Sequence, residues 1–238
     1  MVPLRDENPI STTPMVVYGL LALNIAIFLY QMSLISSGGE AALQQFFNMW
    51  AIVPAELTGE LSGSAVSENR EWLTLFTSQF LHGGFLHLGG NMLYLWVFGN
   101  NIEDQLGHVK FLIFYLACGA LAGLSQWVFE PTSAIPTLGA SGAIAGIMGA
   151  YIIRFPRAKI LTLVPLFIIM TTFRVPAIFF LGFWFVQQAF YSVLSLGATA
   201  DMGTGGVAYL AHAGGFVFGA ILGPLLGLFA KGNDNYRW

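Results

Sequence analysis

Residues 139–151 read GASGAIAGIMGAY, a stretch built almost wholly from small and apolar residues, with one hydroxyl near its start. Small residues spaced four apart allow two membrane helices to approach closely. Here Gly142, Gly146 and Ala150 form one such row, and Ser141 lies in the row beside it. The stretch therefore predicts a short, tightly packed membrane helix that carries a serine in its first turn.

The composition of the whole chain indicates an integral membrane protein. Of 238 residues, 56% are hydrophobic and 9% are charged, whereas a soluble domain carries about 25% charged residues. Mean hydropathy is +0.70. The net charge of −3 gives no sign of nucleic-acid binding. The single cysteine, Cys118, lies in an apolar run, where we expect it to serve packing.

Six segments are apolar enough to be interpreted as membrane helices. They cover residues 15–35, 83–102, 111–129, 141–153, 175–196 and 207–230. Residues 160–173 are also apolar but are interrupted by Pro165, so they either dip into the membrane or extend the fifth span. Residues 37–81 form a long first loop, in which we expect a surface-lying amphipathic segment. The predicted fold class is an all-α membrane protein, a bundle of six transmembrane helices.

The distribution of positive charge predicts how the bundle is oriented, because lysine and arginine are enriched in cytoplasmic loops. With the N-terminus inside, one basic residue, Arg70, falls outside, and eight fall on the cytoplasmic side: Arg5, Lys110, Arg154, Arg157, Lys159, Arg174, Lys231 and Arg237. Both termini are therefore predicted to be cytoplasmic. The expected organisation is a cytoplasmic segment over residues 1–14, a membrane domain over 15–230 and a cytoplasmic tail over 231–238. The expected location is a cell membrane, that of a bacterium.

Polar side chains inside a membrane are costly, so each one suggests a function. His212 opens the sixth span and is followed by Gly215 and Gly219, a second row of small residues. Packing of this row against the row beside Ser141 would bring the hydroxyl and the imidazole together. A serine hydroxyl becomes a nucleophile when a neutral imidazole takes its proton. The pattern predicts a Ser141–His212 catalytic dyad.

The second span supplies hydrogen-bond donors for the oxyanion that such an attack creates. His87 and Asn91 are four residues apart, so they share one helix face. Together with the backbone N–H of Ser141 at a helix N-terminus, they form a candidate oxyanion hole. His82, just before this span, is expected at the membrane interface, and His108 is expected in a solvated loop.

Other intramembrane protease chemistries lack the residues that they require. No HExxH zinc motif occurs. None of the four aspartates, Asp6, Asp104, Asp201 and Asp234, lies within a span, and Asp201 is a weak candidate for a third catalytic residue. The predicted site is therefore a two-residue Ser–His dyad.

Three motifs, GASG around Ser141, HGGFLHLGGN over residues 82–91 and AHAGGFVFG around His212, resemble the signatures of rhomboid intramembrane serine proteases. The resemblance implies that Ser141 is the nucleophile and His212 the general base, and that His87 and Asn91 contribute to the oxyanion hole. It also implies that residues 37–81 form a membrane-embedded lateral loop, and that the fifth span and the loop after it act as substrate gate and cap. The implied partners are single-pass membrane proteins, cleaved in or near the outer part of their spans, and the surrounding lipid; the oligomeric state is left open. The implied activity needs no metal and no cofactor.

The chain departs from the family pattern one turn after the serine. Some rhomboids carry there an aromatic residue that packs on the catalytic histidine, but this chain has Ala145. Either another group orients His212, or its ring is held less firmly.

Two alternative functions remain open at this stage. One is a non-catalytic rhomboid-like protein for membrane-protein binding or quality control, which labelling by a serine-directed fluorophosphonate would distinguish from a protease. The other is a small transporter, which would show solute flux in sealed vesicles and which predicts internal repeats.

Overall fold

The computed structural model describes residues 1–64, 71–166, 169–197 and 208–230. Within these ranges the chain forms eight α-helices, three β-strands and a single 3-10 turn. The helices are α1 (Met15–Trp50), α2 (Pro54–Ser62), α3 (Glu71–Thr77), α4 (Phe85–Leu106), α5 (His108–Phe129), α6 (Ser141–Arg154), α7 (Ala177–Gly197) and α8 (Tyr209–Leu226). The strands are β1 (Val2–Asp6), β2 (Lys159–Leu166) and β3 (Ile169–Pro176), and the 3-10 turn covers Ser78–Phe80.

Four helices in the described ranges are long and apolar enough to cross a membrane, namely Met15–Trp50, His108–Phe129, Ala177–Ser195 and Tyr209–Leu226. The helix α6 is apolar but has 14 residues, or about 21 Å of length against a hydrocarbon core of about 30 Å. The helix α4 ends in the buried polar run Asn101 to Gln105. The chain is thus a mostly helical integral membrane protein.

The first helix is longer than the span predicted for it, and it breaks at a glycine. Its buried residues recur every three or four positions and form one stripe toward the bundle: Val17, Leu20, Asn24, Phe28 and Gln31. At Gly39 the backbone adopts φ 70°, a left-handed conformation that favours glycine. A second helical part follows to Trp50. The connection predicted over residues 37–81 therefore consists largely of helix in its described part, including α2 and α3.

The short helix α6 lies at the centre of the bundle, where eleven of its fourteen residues are buried. It packs chiefly against α8 and also against α5 and α4. A methyl group on Gly215 would overlap the backbone carbonyl of Gly142, and one on Gly146 would lie 2.5 Å from Cβ of Cys118. The small residues thus bring three helix backbones close together, and Cys118 is buried among them.

A three-stranded antiparallel sheet corrects the all-α prediction. Strands β2 and β3 form a hairpin in which Ile160 pairs with Val175, and β1 pairs with the other edge of β2, with Arg5 opposite Leu161. In their described part, residues 160–173 form strands and do not extend the fifth helix, so that alternative was wrong. A dip of the two strands into the membrane stays a prediction. The apolar run is rich in β-branched residues, which favour strands. It forms a strand because the N-terminal segment is available as a pairing partner. The fifth helix accordingly begins at Ala177 instead of residue 175.

The N-terminal segment also binds the buried acidic end of α4. Glu103 accepts the backbone N–H groups of Val16 and Val17 at 2.9 and 2.8 Å. Asp104 accepts the hydroxyl groups of Ser11 and Thr12 at 2.8 and 2.7 Å. Glu103 thus satisfies N–H groups in the first turn of α1 that have no acceptor within the helix, and Asp104 holds the segment just before it.

Candidate active site

Ser141 is the first residue of α6. Gly139, two residues earlier, has φ 120°, so the chain makes a turn there that favours glycine before it enters the helix. The N–H groups of a helix's first turn have no acceptor within the helix. The backbone N–H of Ser141 is therefore positioned as a hydrogen-bond donor next to its own hydroxyl.

The Ser141 hydroxyl and the His212 imidazole meet across the interface between α6 and α8. Oγ of Ser141 lies 2.7 Å from Nε2 of His212, although the two residues are 71 positions apart. On its other side, Nδ1 of His212 lies 2.9 Å from Oε1 of Gln188 in α7. A carboxamide oxygen can only accept a hydrogen bond. Nδ1 therefore carries the imidazole proton and donates it to Gln188, and Nε2 is left to accept from Ser141.

An aromatic ring from α7 covers the same histidine. The rings of Trp184 and His212 have centroids 5.9 Å apart at an angle of 33°. Trp184 and Gln188 are one helical turn apart and so reach His212 from one face of α7. The methyl group of Ala145 cannot orient His212, and α7 does so instead, because it supplies both a stacking surface and a hydrogen-bond acceptor.

His87 and Asn91 converge beside Gly139. The backbone N–H of Gly83 donates to Nδ1 of His87 over 3.4 Å, so the neutral ring carries its proton on Nε2. A Cβ on Gly139 would lie 2.7 Å from that Nε2 and 3.6 Å from Nδ2 of Asn91. Among the described residues, Nδ2 of Asn91 is buried without a hydrogen-bond partner. Two donors are thus directed at the turn that leads into Ser141.

These polar groups line a cavity of about 840 Å³, a volume typical of ligand sites. Its polar lining comes from the four side chains just described: Ser141, His212, His87 and Asn91. Most of the remaining lining is apolar or aromatic and includes Phe85, Leu86, Tyr94, Leu138, Ile144, Met148 and Trp184. The cavity can therefore hold an apolar polypeptide segment against the serine.

A family model described as the Rhomboid domain matches residues 69–229. The chain belongs to the rhomboid family. Rhomboid protein 1, mitochondrial, of Saccharomyces cerevisiae is 32% identical over 212 residues, which cover 87% of this chain and 52% of the yeast protein. The rhomboid protease GluP of Bacillus subtilis is 44% identical over 80 residues, or 34% of this chain and 15% of GluP. The putative rhomboid protease YdcA of Bacillus subtilis is 38% identical over 84 residues, or 35% of this chain and 42% of YdcA.

This rhomboid chain spans about half the length of the yeast relative and a smaller share of the two Bacillus proteins. Family membership accounts for an integral membrane protein with apolar helices. Family membership does not assign the activity, substrates or partners of these relatives to this chain, for which they are proposals.

His82 of this rhomboid is buried inside the protein, which the sequence did not indicate. Its side chain is 0% exposed, and its ring lies edge-on to His87 with centroids 5.1 Å apart. Gln31 of α1 holds the loop inward, since its amide donates to the His82 carbonyl at 2.7 Å and accepts the His82 N–H at 3.1 Å. His82 therefore supports the position of His87.

His108 is not a loop residue. It begins α5, and its Nδ1 lies 2.5 Å from Oε1 of the buried Glu103. Within the described ranges, no cluster of three histidine, cysteine or acidic side chains could hold a metal ion.

The sequence analysis did not predict that Gln188 and Trp184 contact His212. A signal for Gln188 was present, since Gln187 and Gln188 are adjacent polar residues inside an apolar span. The sequence does not tell which of the two faces the bundle. The structure does, because Gln187 is exposed and Gln188 is buried.

Proposed function

We propose that this rhomboid is an intramembrane serine endopeptidase with Ser141 as nucleophile and His212 as general base. The observation that carries the proposal is the 2.7 Å approach of Ser141 Oγ to His212 Nε2 inside a mostly apolar cavity. A hydroxyl within hydrogen-bond distance of an imidazole that is oriented by a third group is the geometry of an activated serine.

The proposed reaction has two stages. In the first, Nε2 of His212 takes the Ser141 proton while Oγ attacks the scissile carbonyl carbon, and the imidazolium then gives that proton to the departing amine. In the second, Nε2 of His212 takes a proton from water as the water oxygen attacks the acyl carbon, the bond from that carbon to Ser141 Oγ breaks, and the imidazolium returns the proton to Oγ as the carboxylic acid leaves. His87 Nε2–H, Asn91 Nδ2–H and the Ser141 N–H donate to the oxyanion in both stages.

Membrane-embedded polypeptides are the proposed substrates, and single-pass proteins are the narrower proposal. The apolar lining of the cavity favours a segment drawn from a membrane span. Cleavage is an endopeptidase step on one chain, so no nucleic acid or cofactor is part of it. The proposed location is a bacterial plasma membrane, in line with the two Bacillus relatives.

The proposed topology has six transmembrane helices, α1, α4, α5, α6, α7 and α8, with both termini in the cytoplasm. It is supported by the basic residues of the described ranges, which gather at the end of the bundle that carries the sheet: Arg5, Lys110, Arg154, Arg157, Lys159 and Arg174. Lys110 also donates to the carbonyl of Leu226 at the end of α8. The other basic residues, Arg70, Lys231 and Arg237, lie outside the described residues.

Cysteine labelling tests this topology. The one native cysteine, Cys118, is buried, so an added cysteine reports alone. Thr13 and Thr132 are both exposed and lie at opposite ends of the proposed bundle. A membrane-impermeant maleimide applied to intact cells should label Thr132→Cys and not Thr13→Cys. The reverse pattern would overturn the orientation.

The activity is tested by co-reconstituting the purified chain with a single-pass membrane substrate in liposomes. Ser141→Ala and His212→Ala should each abolish detectable cleavage. Ser125→Ala is the matched control, because Ser125 is half-buried in α5 and bonds to its own helix at the Leu121 carbonyl. It should cleave at the wild-type rate. Undiminished cleavage by either catalytic variant refutes the assignment.

Fluorophosphonate labelling distinguishes a protease from a non-catalytic rhomboid. An activated Ser141 should react in the wild type and in Ser125→Ala, and the label should disappear in Ser141→Ala. Absence of labelling in a folded wild-type chain would favour the non-catalytic alternative.

A further inference from the structure

Helix α7 contributes a polar contact to the candidate site that family membership does not explain. Gln188 is 8% exposed and points its carboxamide oxygen at Nδ1 of His212, 2.9 Å away. The neighbouring Trp184 ring lies against the same imidazole. A buried amide in an apolar helix is costly unless it is hydrogen-bonded, so this contact stabilises one arrangement of α7 on α8.

We propose that Gln188 is the positioning residue that holds His212 in its Nδ1–H tautomer with Nε2 directed at Ser141. The proposal deepens the proteolytic function given above and rests on it. Gln188 acts through His212 and does not touch the reacting atoms.

The position of the single ring proton decides whether His212 can act as the base. Neutral imidazole has one N–H, and it can accept the serine proton only at the nitrogen that lacks a hydrogen. The Oε1 acceptor of Gln188 makes Nδ1 the favoured place for that hydrogen. Without the acceptor, the proton can reside on Nε2, and a ring in that state cannot accept a proton from Ser141 there.

Asp201, the weak candidate for a third catalytic residue, lies outside the described residues. The sequences of α6, α7 and α8 contain no aspartate or glutamate, so no carboxylate from these helices can replace the amide. Ala145 has no polar atom in its side chain, and Trp184 has no acceptor. An amide is also suited to an apolar site because it orients the imidazole without burying a second charge.

Three variants test the proposal. Gln188→Leu keeps the volume and removes the acceptor. Gln188→Glu restores an acceptor oxygen whether the carboxyl is ionised or neutral. Gln187→Leu is the matched control, since Gln187 is the adjacent residue of the same type but is exposed on the other side of α7.

The first readout is the ¹⁵N spectrum of the histidine rings in the full-length chain in detergent, with His212→Ala used to assign the His212 signals among four histidines. The wild type, Gln187→Leu and Gln188→Glu should show an unprotonated Nε2 at His212. Gln188→Leu should show mixed tautomers. A wild-type spectrum with the proton on Nε2 would overturn the proposal directly, even if the leucine variant does not fold.

The second readout is the cleavage rate. For Gln188→Leu we expect kcat to fall by about 10- to 100-fold, part of the 10²- to 10⁴-fold that a general base supplies, with KM unchanged. Gln188→Glu should recover most of that loss, and Gln187→Leu should match the wild type. Equal kcat in both leucine variants, or a change confined to KM, would refute a positioning role. If the wild type shows no cleavage, the proposed proteolytic function is refuted. The ring spectra still test the contact between Gln188 and His212 independently.

Discussion

Gly219 of α8 faces Gly146 of α6 so closely that a methyl group on Gly219 would overlap the Gly146 carbonyl oxygen. This approach lies two turns below the Ser141–His212 pair. Because both partners at the contact are backbone atoms, they cannot move aside as a flexible side chain can. The separation of the two helices, and with it the distance between hydroxyl and imidazole, depends on the absence of a side chain here.

Replacing Gly219 with alanine should therefore push α6 and α8 apart. We expect a loss of about 1–3 kcal/mol in stability, the usual effect of overpacking a tight core, and a fall in cleavage of at least about tenfold, because proton transfer requires hydrogen-bond distance. The measurements are thermal denaturation in detergent and liposome cleavage. Gly182→Ala is the control, since a methyl group there meets nothing within 4 Å. Equal behaviour of the two variants would show that the contact does not set the helix separation.

Replacing Asn91 with alanine removes a donor from the proposed oxyanion hole. We expect kcat to fall by about 10²- to 10³-fold, the effect typical of one lost oxyanion donor, with little change in KM or melting temperature. Asn100→Ala makes the same change near the other end of α4 and should retain activity. A fall in stability that accounts for the lost activity would assign Asn91 to structure instead.

The carboxylate of Glu103 should contribute more to stability than the carboxylate of Glu7, which follows β1. Glu103 is fully buried and accepts two backbone N–H groups of α1, so Glu103→Ala should cost about 3 kcal/mol, given that hydrogen bonds to a charged group are worth about 1.5–3 kcal/mol. Glu7 pairs with Arg174 at an exposed site, where ion pairs contribute little. Glu7→Ala is therefore the control in the same unfolding titration. Similar losses for both would contradict the capping role.

Asp6, the last residue of β1, should make stability depend on pH. Burial raises the pKa of Asp6 from 3.8 to about 6, although a hydrogen bond from the Tyr151 hydroxyl lowers it. The folded chain thus binds this proton more tightly than the unfolded chain, so the stabilising effect is complete below about pH 4 and is lost as the pH rises through 6.

The test compares the melting temperatures of Asp6→Asn and the wild type across that range. The amide stays neutral and still accepts from Tyr151. The variant should match the wild type near pH 4 and exceed it by several degrees at pH 7. A difference that does not change with pH would mean that Asp6 does not titrate between the two states.

Helix positions could be predicted because apolar length and charged ends are local properties. The third and fourth spans, expected over residues 111–129 and 141–153, were observed as His108–Phe129 and Ser141–Arg154. The meeting of Ser141 with His212 could be anticipated from two rows of small residues, since close helix approach leaves few alternatives.

The sheet, the burial of His82 and the role of α7 could not be predicted, because each depends on a distant partner. Strand β2 is stabilised by residues about 155 positions away in β1, and His82 is drawn inward by Gln31. The span that contains Gln188 shows two adjacent glutamines but does not indicate their direction. Such pairings become visible only when the chain is folded.

Helix α7 is anchored beside the sheet at its first turn, where the N–H groups of Ala177 and Ile178 donate to the carbonyls of Ala158 and Pro156. Gln188 lies 11 residues from this attachment, or about 17 Å, and a swing of about 10° would displace it by about 3 Å, enough to break its hydrogen bond. Lateral entry of a polypeptide past this helix would thus leave the base without its acceptor. Under the proposed proteolytic function, the chain would be inactive while open, and proteins that depart before the helix returns would escape uncut, so residence time becomes a criterion of selection.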